Sequence, residues 1–233
     1  MNVLITRAAE QLAETVNIFS AHGLSPYCMP VIQTVALPAP EFKYKHYDYC
    51  ILTSQVAVKF FAPYAIGASK YVTVGTATAK AAVRLLKVPE DNIVISQSAY
   101  ISGIEEYFSG ENVTGKRVIA PGALERIKDL GGSFHAKNAF FEAPTLYETA
   151  SVLYNKGEIE AATDRYNIEA VTFFSPSAVN ALFDQAALPE TVRCAAIGKT
   201  TAESLCARGK KPLCGERQTA ESLAQMLKQI SDA

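Results

Sequence analysis

The sequence predicts an α/β protein of two similar lobes, each with a parallel β-sheet covered by helices on both faces. The first observation is a repeat. Residues 47–62 (YDYCILTSQVAVKFFA) and 168–183 (IEAVTFFSPSAVNALF) share an apolar run, a small hydroxyl residue, Ala-Val and an aromatic residue. The second is another matched pair farther along each half, YVTVGTATAKAAVRLL at 71–86 and CAAIGKTTAESLCARG at 194–209. A segment order that recurs in both halves favours two lobes over one irregular domain.

A third pair of similar segments, SQSAYISGI at 96–104 and RQTAESLAQ at 217–225, extends the repeat. The predicted strands are short, rich in Val and Ile, and mostly apolar throughout. They are VLI 3–5, YCIL 49–52, VTV 72–74, IVI 93–95, VIA 118–120, AVTFF 170–174 and CAAI 194–197. Continuously apolar strands separated by helices are typical of a parallel sheet that is buried on both faces.

The predicted helices show the period of an amphipathic helix. Their apolar stripes are Leu12, Val16 and Phe19; Ala79, Ala82, Val83 and Leu86; and Ala220, Leu223, Ala224, Leu227 and Ile230. Gly23 is placed to end the first of these helices, and Thr219 is placed to cap the last. Ser175 followed by Pro176 fits the N-cap and first position of another helix.

Two extended segments that contain proline interrupt this pattern, at 31–47 and 139–150. The strand–helix unit at 2–30 has its counterpart at 116–144. We therefore predict a discontinuous first lobe and a second lobe inserted into it. The predicted boundaries are 1–34 plus 150–233 for the first lobe, 40–143 for the second, and 35–39 and 144–149 for the two crossings. A single continuous sheet is the alternative.

Composition excludes several classes of protein. The chain has 233 residues, of which 49% are hydrophobic and 19% charged, which supports packed cores and argues against disorder. Lys and Arg number 22 against 23 Asp and Glu, without a basic block, so nucleic-acid binding is disfavoured. The N-terminus reads as a strand entering a helix, and no apolar run could span a bilayer. We expect a cytoplasmic monomer without membrane partners.

Cysteine and histidine patterns predict no metal and no disulfide framework. The five cysteines include no CxxC pair, and Cys50, Cys194 and Cys206 fall in apolar patterns, which indicates buried thiols in a reducing compartment. The three histidines lack the spacing of metal ligands. We expect no cofactor.

Six predicted turns place hydroxyl residues or glycine at helix N-termini. They are Thr6-Arg7, Thr53-Ser54, Gly75-Thr76, Ser175-Pro176-Ser177, Gly198-Lys199-Thr200-Thr201 and Gln218-Thr219. A helix N-terminus offers unpaired N–H groups and a partial positive charge, which together bind carboxylate or phosphate. In a doubly wound sheet such turns lie where ligands bind, so two facing lobes would hold a ligand with several anionic groups.

We predict that the substrate-binding residues are Arg7, Thr53, Ser54, Gly75, Thr76, Thr78, Ser175, Ser177, Gly198, Lys199, Thr200 and Thr201. For each hydroxyl residue the alternative is a helix cap that touches no ligand. The absence of GxGxxG and GxxxxGK[ST] disfavours dinucleotides and nucleoside triphosphates.

The chain resembles the uroporphyrinogen-III synthase family over nearly its whole length. The matching segments are LITR at 4–7, YDYCILTSQVAV at 47–58, YVTVGTATA at 71–79, APTLYET at 143–149, VTFFSPSAVNALF at 171–183 and AIGKTTAESL at 196–205. The resemblance implies two flavodoxin-like lobes joined by a two-stranded linker.

The resemblance also implies an activity, the cyclisation of hydroxymethylbilane to uroporphyrinogen III without a metal or organic cofactor. Loss of the hydroxymethyl oxygen gives a reactive azafulvene. Ring D then attacks at its substituted carbon and recloses inverted. Since uncatalysed closure gives the other isomer, the main task of such an enzyme is to hold one geometry.

Tyr147, in the PTLYET segment, is the catalytic residue that the resemblance implies. It would assist departure of the ring A hydroxyl, a role that suits a phenol because it donates a hydrogen bond while neutral. The alternative is a tyrosine that only packs in the linker. For the whole chain, a non-catalytic binding protein for an anionic ligand and an interaction module without chemistry are the other interpretations.

Overall fold

The computed structural model describes residues 1–96, 101–125 and 129–232. Part of the third repeated pair, residues 97–100, lies outside the described residues. The chain forms two compact units, which we call unit 1 and unit 2. Unit 1 comprises Met1–Thr34 and Thr149–Ala233, and unit 2 comprises Val35–Glu148.

The described strands, in chain order, are β1 (Asn2–Ile5), β2 (Ser25–Cys28), β3 (Ile32–Ala36), β4 (His46–Leu52), β5 (Gly67–Thr73), β6 (Ile93–Ile95), β7 (Arg117–Ile119), β8 (Gly122–Ala123), β9 (Phe140–Glu142), β10 (Thr145–Ser151), β11 (Ala170–Phe173), β12 (Arg193–Ala196) and β13 (Leu213–Cys214). The described α-helices are α1 (Leu12–Ala21), α2 (Gln55–Phe61), α3 (Gly75–Leu86), α4 (Ile101–Ser109), α5 (Gly131–Ala136), α6 (Glu158–Arg165), α7 (Pro176–Phe183), α8 (Lys199–Ala207) and α9 (Ala220–Ser231).

Each unit has its own parallel sheet. The order is β13-β12-β11-β1-β2 in unit 1 and β6-β5-β4-β7-β9 in unit 2. Numbered from β1, the strands of unit 1 follow the 2-1-3-4-5 order of flavodoxin-like sheets. Unit 2 fills the same positions in permuted chain order, because β4, β5 and β6 precede β7 and β9. The predicted pair of flavodoxin-like lobes is confirmed, and a single continuous sheet is wrong.

Both faces of each sheet are buried, because successive residues of a strand point to opposite sides. In unit 1, Val171 and Phe173 pack with α6, α7 and α8, whereas Ala170 packs with α1 and α9. In unit 2, Cys50 and Leu52 pack with α2 and α3, and the intervening residues of β4 pack with α4 and α5. Continuous burial explains why the strands read as apolar throughout.

The two chain crossings lie on β3 and β10, which are neighbours in a small sheet of order β3-β10-β8. β10 also pairs in parallel with β8, with Tyr147 opposite Ala123. This pairing attaches the start of β10 to unit 2 and fixes the place of Tyr147.

The predicted helix caps at Ser175 and Thr219 are confirmed, and Ser54 is also a cap. The side-chain oxygens of Ser54, Ser175 and Thr219 accept hydrogen bonds from the backbone N–H groups three residues on, at the starts of α2, α7 and α9. Gly23 follows α1 with a φ of +74°, the left-handed conformation that favours glycine at a helix end.

Candidate active site

A cavity of about 580 Å³ lies at the carboxyl ends of the strands of unit 2. Its lining includes Thr53 after β4, Val74 after β5, Ala120 after β7 and Ala143 after β9. The strand order reverses between β4 and β7, and the carboxyl edge at such a switch point is where open α/β sheets bind ligands.

Tyr147 lines this cavity and is 8% exposed. The N–H of Leu124 donates to its carbonyl at 2.8 Å, which holds β10 against β8. Its ring stacks on Phe60 of α2, with centroids 4.9 Å apart and planes inclined by 30°. Both backbone and ring are therefore held in unit 2 by other residues.

Ser54 lies beside Tyr147 in the same cavity. As N-cap of α2 it accepts a hydrogen bond from Ala57 N–H at 3.0 Å. Its Oγ is also 3.4 Å from Tyr147 Oη, at a distance where either hydroxyl can donate. One short helix thus carries two contacts to Tyr147, the cap hydroxyl of Ser54 and the ring of Phe60.

The described lining of this cavity carries carboxylates from Glu105, Glu125 and Asp129 and holds no Lys or Arg. Asp129 also accepts a hydrogen bond from Gly131 N–H at 2.8 Å at the start of α5. Residues 126–128, between two of these acids in sequence, lie outside the described residues.

Unit 1 presents Arg7 at its own switch point, between β1 and β11. The guanidinium donates to Gln11 Oε1 at 3.2 Å and to Thr15 Oγ1 at 3.0 Å. It also lies 4.4 Å from the ring centroid of Phe174. Burial lowers the pKa of Arg7, and the carboxylate of Glu14 opposes that effect. Arg7 is therefore a positioned cation rather than a fully solvated one.

The hydroxyl turn of unit 1 contains Ser175 and Ser177. Ser175 Oγ caps α7 by accepting from Ala178 N–H at 3.2 Å, and it lies 2.9 Å from Ser177 Oγ. The Ser175 hydroxyl therefore caps α7 and also contacts the hydroxyl of Ser177.

The residues at the start of α8 differ in exposure. Gly198 is the N-cap with an extended backbone, and Lys199 and Thr200 are exposed. The Lys199 ammonium is 3.9 Å from Glu203, an exposed pair four residues apart that contributes little to stability.

Similarity to known proteins decides the family. The family model for uroporphyrinogen-III synthase HemD matches residues 11–231. The chain belongs to the uroporphyrinogen-III synthase family. It is accordingly a cyclising lyase of tetrapyrrole biosynthesis, and a non-catalytic binding protein is not favoured.

Relatives of this synthase family cover the whole chain. An Archaeoglobus fulgidus protein, provisionally named a uroporphyrinogen-III synthase, is 24% identical over 98% of both chains. The uroporphyrinogen-III synthetase structure of Helicobacter pylori matches with a TM-score of 0.67 at 15% identity, covering 98% of this chain and 99% of that one. A Thermus thermophilus uroporphyrinogen III synthase variant matches with a TM-score of 0.55 at 18% identity, over 100% and 99% of the two chains. At these identities the two structures show the shared fold.

The predicted site residues of this synthase fall into two sets. Tyr147, Thr53 and Ser54 meet in the cavity of unit 2, and Gly75 follows Val74 of its lining. The set in unit 1 consists of Arg7, Ser175, Ser177, Gly198, Lys199, Thr200 and Thr201. That these residues bind substrate stays a prediction.

Two predicted binding residues have buried side chains. Thr78 is 4% exposed and Thr201 1% exposed, whereas Thr76 is exposed. Thr201 lies four residues before the fully buried Leu205, so it shares the apolar face of α8. The helical period was a signal for this burial in the sequence.

Sequence reasoning missed Phe60, whose stacking on Tyr147 joins residues far apart in the chain. The aromatic position after Ala-Val in both repeats was visible, but nothing local indicated its partner. The acidic lining from Glu105, Glu125 and Asp129 was also missed, because these residues come from separate elements.

The described residues show no features of a metalloprotein or of a helical membrane protein. No group of three or more His, Cys, Asp or Glu side chains is arranged to hold a metal ion in this part of the chain. None of the described helices has both the length and the apolar character that a membrane span requires.

Proposed function

We propose that the protein closes hydroxymethylbilane into uroporphyrinogen III, with inversion of ring D and loss of water, and that Tyr147 assists departure of the ring A hydroxyl. The observation that supports the role of Tyr147 is its placement. A phenol, 8% exposed, lines the cavity at the carboxyl edge of the unit 2 sheet, on a strand pinned to β8. An aromatic hydroxyl held in place at a cavity wall is suited to protonating a leaving group.

The proposed reaction begins with loss of the hydroxymethyl oxygen. As the C–O bond of the hydroxymethyl group breaks, the Tyr147 hydroxyl proton leaves with the oxygen as water. The pyrrole nitrogen supplies the electron pair that forms the azafulvene, and its N–H proton restores the phenol. Ring D then attacks the new methylene carbon from its substituted α-carbon to form a spiro intermediate. The bond from that α-carbon to the methylene of ring C breaks, this methylene bonds to the unsubstituted α-carbon of ring D, and the proton on that carbon is lost, which leaves ring D inverted. Holding these rings in one geometry is the larger part of the catalysis.

In the proposed function, the eight carboxylates of the substrate bind at helix N-termini and at Arg7. We propose that the turns beginning α2, α3, α7 and α8 supply backbone N–H groups and exposed hydroxyls for this purpose. For Thr78 and Thr201, whose side chains are buried, we propose that their turns contribute through the backbone. The exposed Lys199 adds weaker, solvent-screened attraction.

We further propose that the protein works in the cytoplasm as a monomer, without nucleic-acid or membrane partners. The five cysteines lie within the described residues and are free thiols, which suits a reducing compartment. Burial raises the pKa of the Cys50 and Cys194 thiols, so both are unreactive.

A product analysis tests this function. Hydroxymethylbilane is supplied to the protein, the reaction is stopped before spontaneous closure is complete, and the isomer is identified against a protein-free control. We expect the inverted isomer to form in proportion to the amount of protein. Binding of the substrate without any change in the isomer formed would instead identify a non-catalytic binding protein.

A further inference from the structure

We infer that Ser54 is a positioning residue whose hydroxyl proton is donated to Tyr147 Oη, so that the proton of Tyr147 points into the cavity. This inference rests on the proposed role of Tyr147. It gives Ser54 a function through another side chain, rather than through the substrate.

Ser54 acts only as an acceptor in the capping contact, so its hydroxyl proton is available for a second hydrogen bond. Its Oγ already accepts from Ala57 N–H at 3.0 Å, and a serine hydroxyl has a single O–H donor. In the part of the chain that the structure describes, the other hydrogen-bond partner of this Oγ is Tyr147 Oη at 3.4 Å. Donation from Ser54 to Tyr147 therefore uses the one proton that the cap does not involve.

The direction of this hydrogen bond decides what Tyr147 can do. If Tyr147 donated to Ser54, the Tyr147 proton would be used in a hydrogen bond within the protein. The leaving hydroxyl would then face only the lone pairs of Tyr147 Oη. With Ser54 as donor, Tyr147 Oη accepts one hydrogen bond and keeps its own O–H for the cavity that it lines. A donor at Oη also stabilises the negative charge that forms on that oxygen as the proton leaves.

Phe60 completes the arrangement by fixing the plane of the Tyr147 ring. The rings stack with centroids 4.9 Å apart, and Phe60 belongs to the helix that Ser54 caps. The N-cap geometry of Ser54, with φ of −157° and ψ of 159°, thus fixes both the hydroxyl and the helix that carries the second contact. Aromatic pairs stabilise a structure beyond the area that they bury.

A double-mutant cycle on kcat tests the inference. Ser54→Ala is made in the wild-type protein and in the Tyr147→Phe protein, and kcat and KM are measured with hydroxymethylbilane. We expect Ser54→Ala to lower kcat about fivefold in the wild type, the size of one neutral hydrogen bond. In the Tyr147→Phe background it should change kcat by less than about twofold, because the acceptor is gone.

Two further substitutions separate donation from capping. Ser54→Thr keeps the cap and the donor and should restore kcat. Ser54→Asp keeps the cap but accepts only, so kcat should stay as low as in Ser54→Ala while the melting temperature recovers. Thr219→Ala, which removes the equivalent cap of α9, is the matched control. It should lower the melting temperature without changing kcat.

The outcomes distinguish the inference from the proposed function. An equal loss of kcat in both backgrounds, or a rise in KM with kcat unchanged, would overturn the role of Ser54 and leave that of Tyr147 intact. An unchanged kcat in Tyr147→Phe alone would instead remove Tyr147 from the mechanism and the inference with it.

Discussion

Ser54 in unit 2 and Ser175 in unit 1 occupy the same turn of a repeated fold, yet they have different second partners. Both are extended N-caps, with φ and ψ of −157° and 159° against −161° and 157°. Both accept from the N–H three residues on. Ser54 then contacts a buried tyrosine, whereas Ser175 contacts Ser177. The backbone of the repeat is preserved, and the contacts beyond it suit chemistry in one unit and ligand binding in the other.

The second repeated turn differs in its backbone. Gly75 begins α3 with a φ of +75°, whereas Gly198 caps α8 with a φ of −172°. The left-handed value favours glycine, and the extended value suits any residue. The two matched glycines therefore have different backbone conformations, and the similarity of the two sequence segments does not reveal this difference.

The largest expected effect is that of Tyr147→Phe, which tests the proposal that unit 2 carries the chemistry and unit 1 binds the ligand. Phe keeps the ring and its stacking on Phe60 and removes the donor. General-acid assistance contributes about 10²–10⁴-fold in typical enzymes, and this leaving group departs readily. We expect kcat to fall roughly ten- to hundred-fold with the inverted isomer still formed, as measured by initial rates and product analysis. Formation of the other isomer would show that the Tyr147 hydroxyl, which this variant lacks, also governs how the substrate folds.

The second prediction compares Ser175→Ala with Ser54→Ala. We expect Ser175→Ala to raise KM several-fold with kcat nearly unchanged, since its turn faces substrate carboxylates in the proposed function. Loss of the cap should lower the free energy of unfolding by about 1 kcal/mol in each variant. Steady-state kinetics with thermal melts checks both effects. A kcat effect for Ser175→Ala as large as that for Ser54→Ala would remove the distinction between the turns.

Local sequence features predicted the parts of this fold that depend on local physics. Apolar runs predicted β4 and β11, and a serine followed by proline before the helical period predicted the cap at Ser175. The family resemblance implied Tyr147. The stacking of Phe60 on Tyr147 could not be predicted, because it depends on where β10 pairs with β8.

Boundaries and exposures were less predictable for a similar reason. β2 and β13 were not predicted from their short, mixed sequences, although each completes a sheet edge. Thr201 was predicted as a binding side chain from its turn, and the packing of α8 buries it. A hydroxyl residue near the start of a helix can cap the helix, pack in the core or bind a ligand, and only its position in the tertiary structure distinguishes these roles.

The third prediction sharpens the comparison within unit 1. Arg7 is held by two hydrogen bonds and Phe174, whereas Lys199 is exposed beside an exposed glutamate. We expect Arg7→Ala to raise KM several-fold and Lys199→Ala to change it less than about twofold, since solvent screens exposed charges. Arg7→Lys, which keeps charge without the planar fork, should lie between them. Equal effects of Arg7→Ala and Lys199→Ala would show that simple net charge governs binding.

The smallest expected effect concerns the two glycines. Gly75→Ala places a side chain at positive φ and should lower the free energy of unfolding by about 1–2 kcal/mol, a fall in Tm of a few degrees. Gly75→Asn, which tolerates that conformation, should cost less. A Cβ at Gly198 would instead meet the Gln218 side chain at 2.8 Å. Its cost should disappear in the Gly198→Ala, Gln218→Ala double variant, and persistence of the loss would point to backbone strain at Gly198.

A single-turnover comparison of Tyr147→Phe and Ser175→Ala tests most directly whether unit 2 carries the chemistry. Enzyme is held in excess and well above its affinity for hydroxymethylbilane, so that the observed rate reports the chemical step rather than binding. We predict that Tyr147→Phe slows this step roughly ten- to hundred-fold while Ser175→Ala matches the wild type. A wild-type rate in Tyr147→Phe, or an equal slowing in both variants, would contradict the assignment of chemistry to the tyrosine of unit 2.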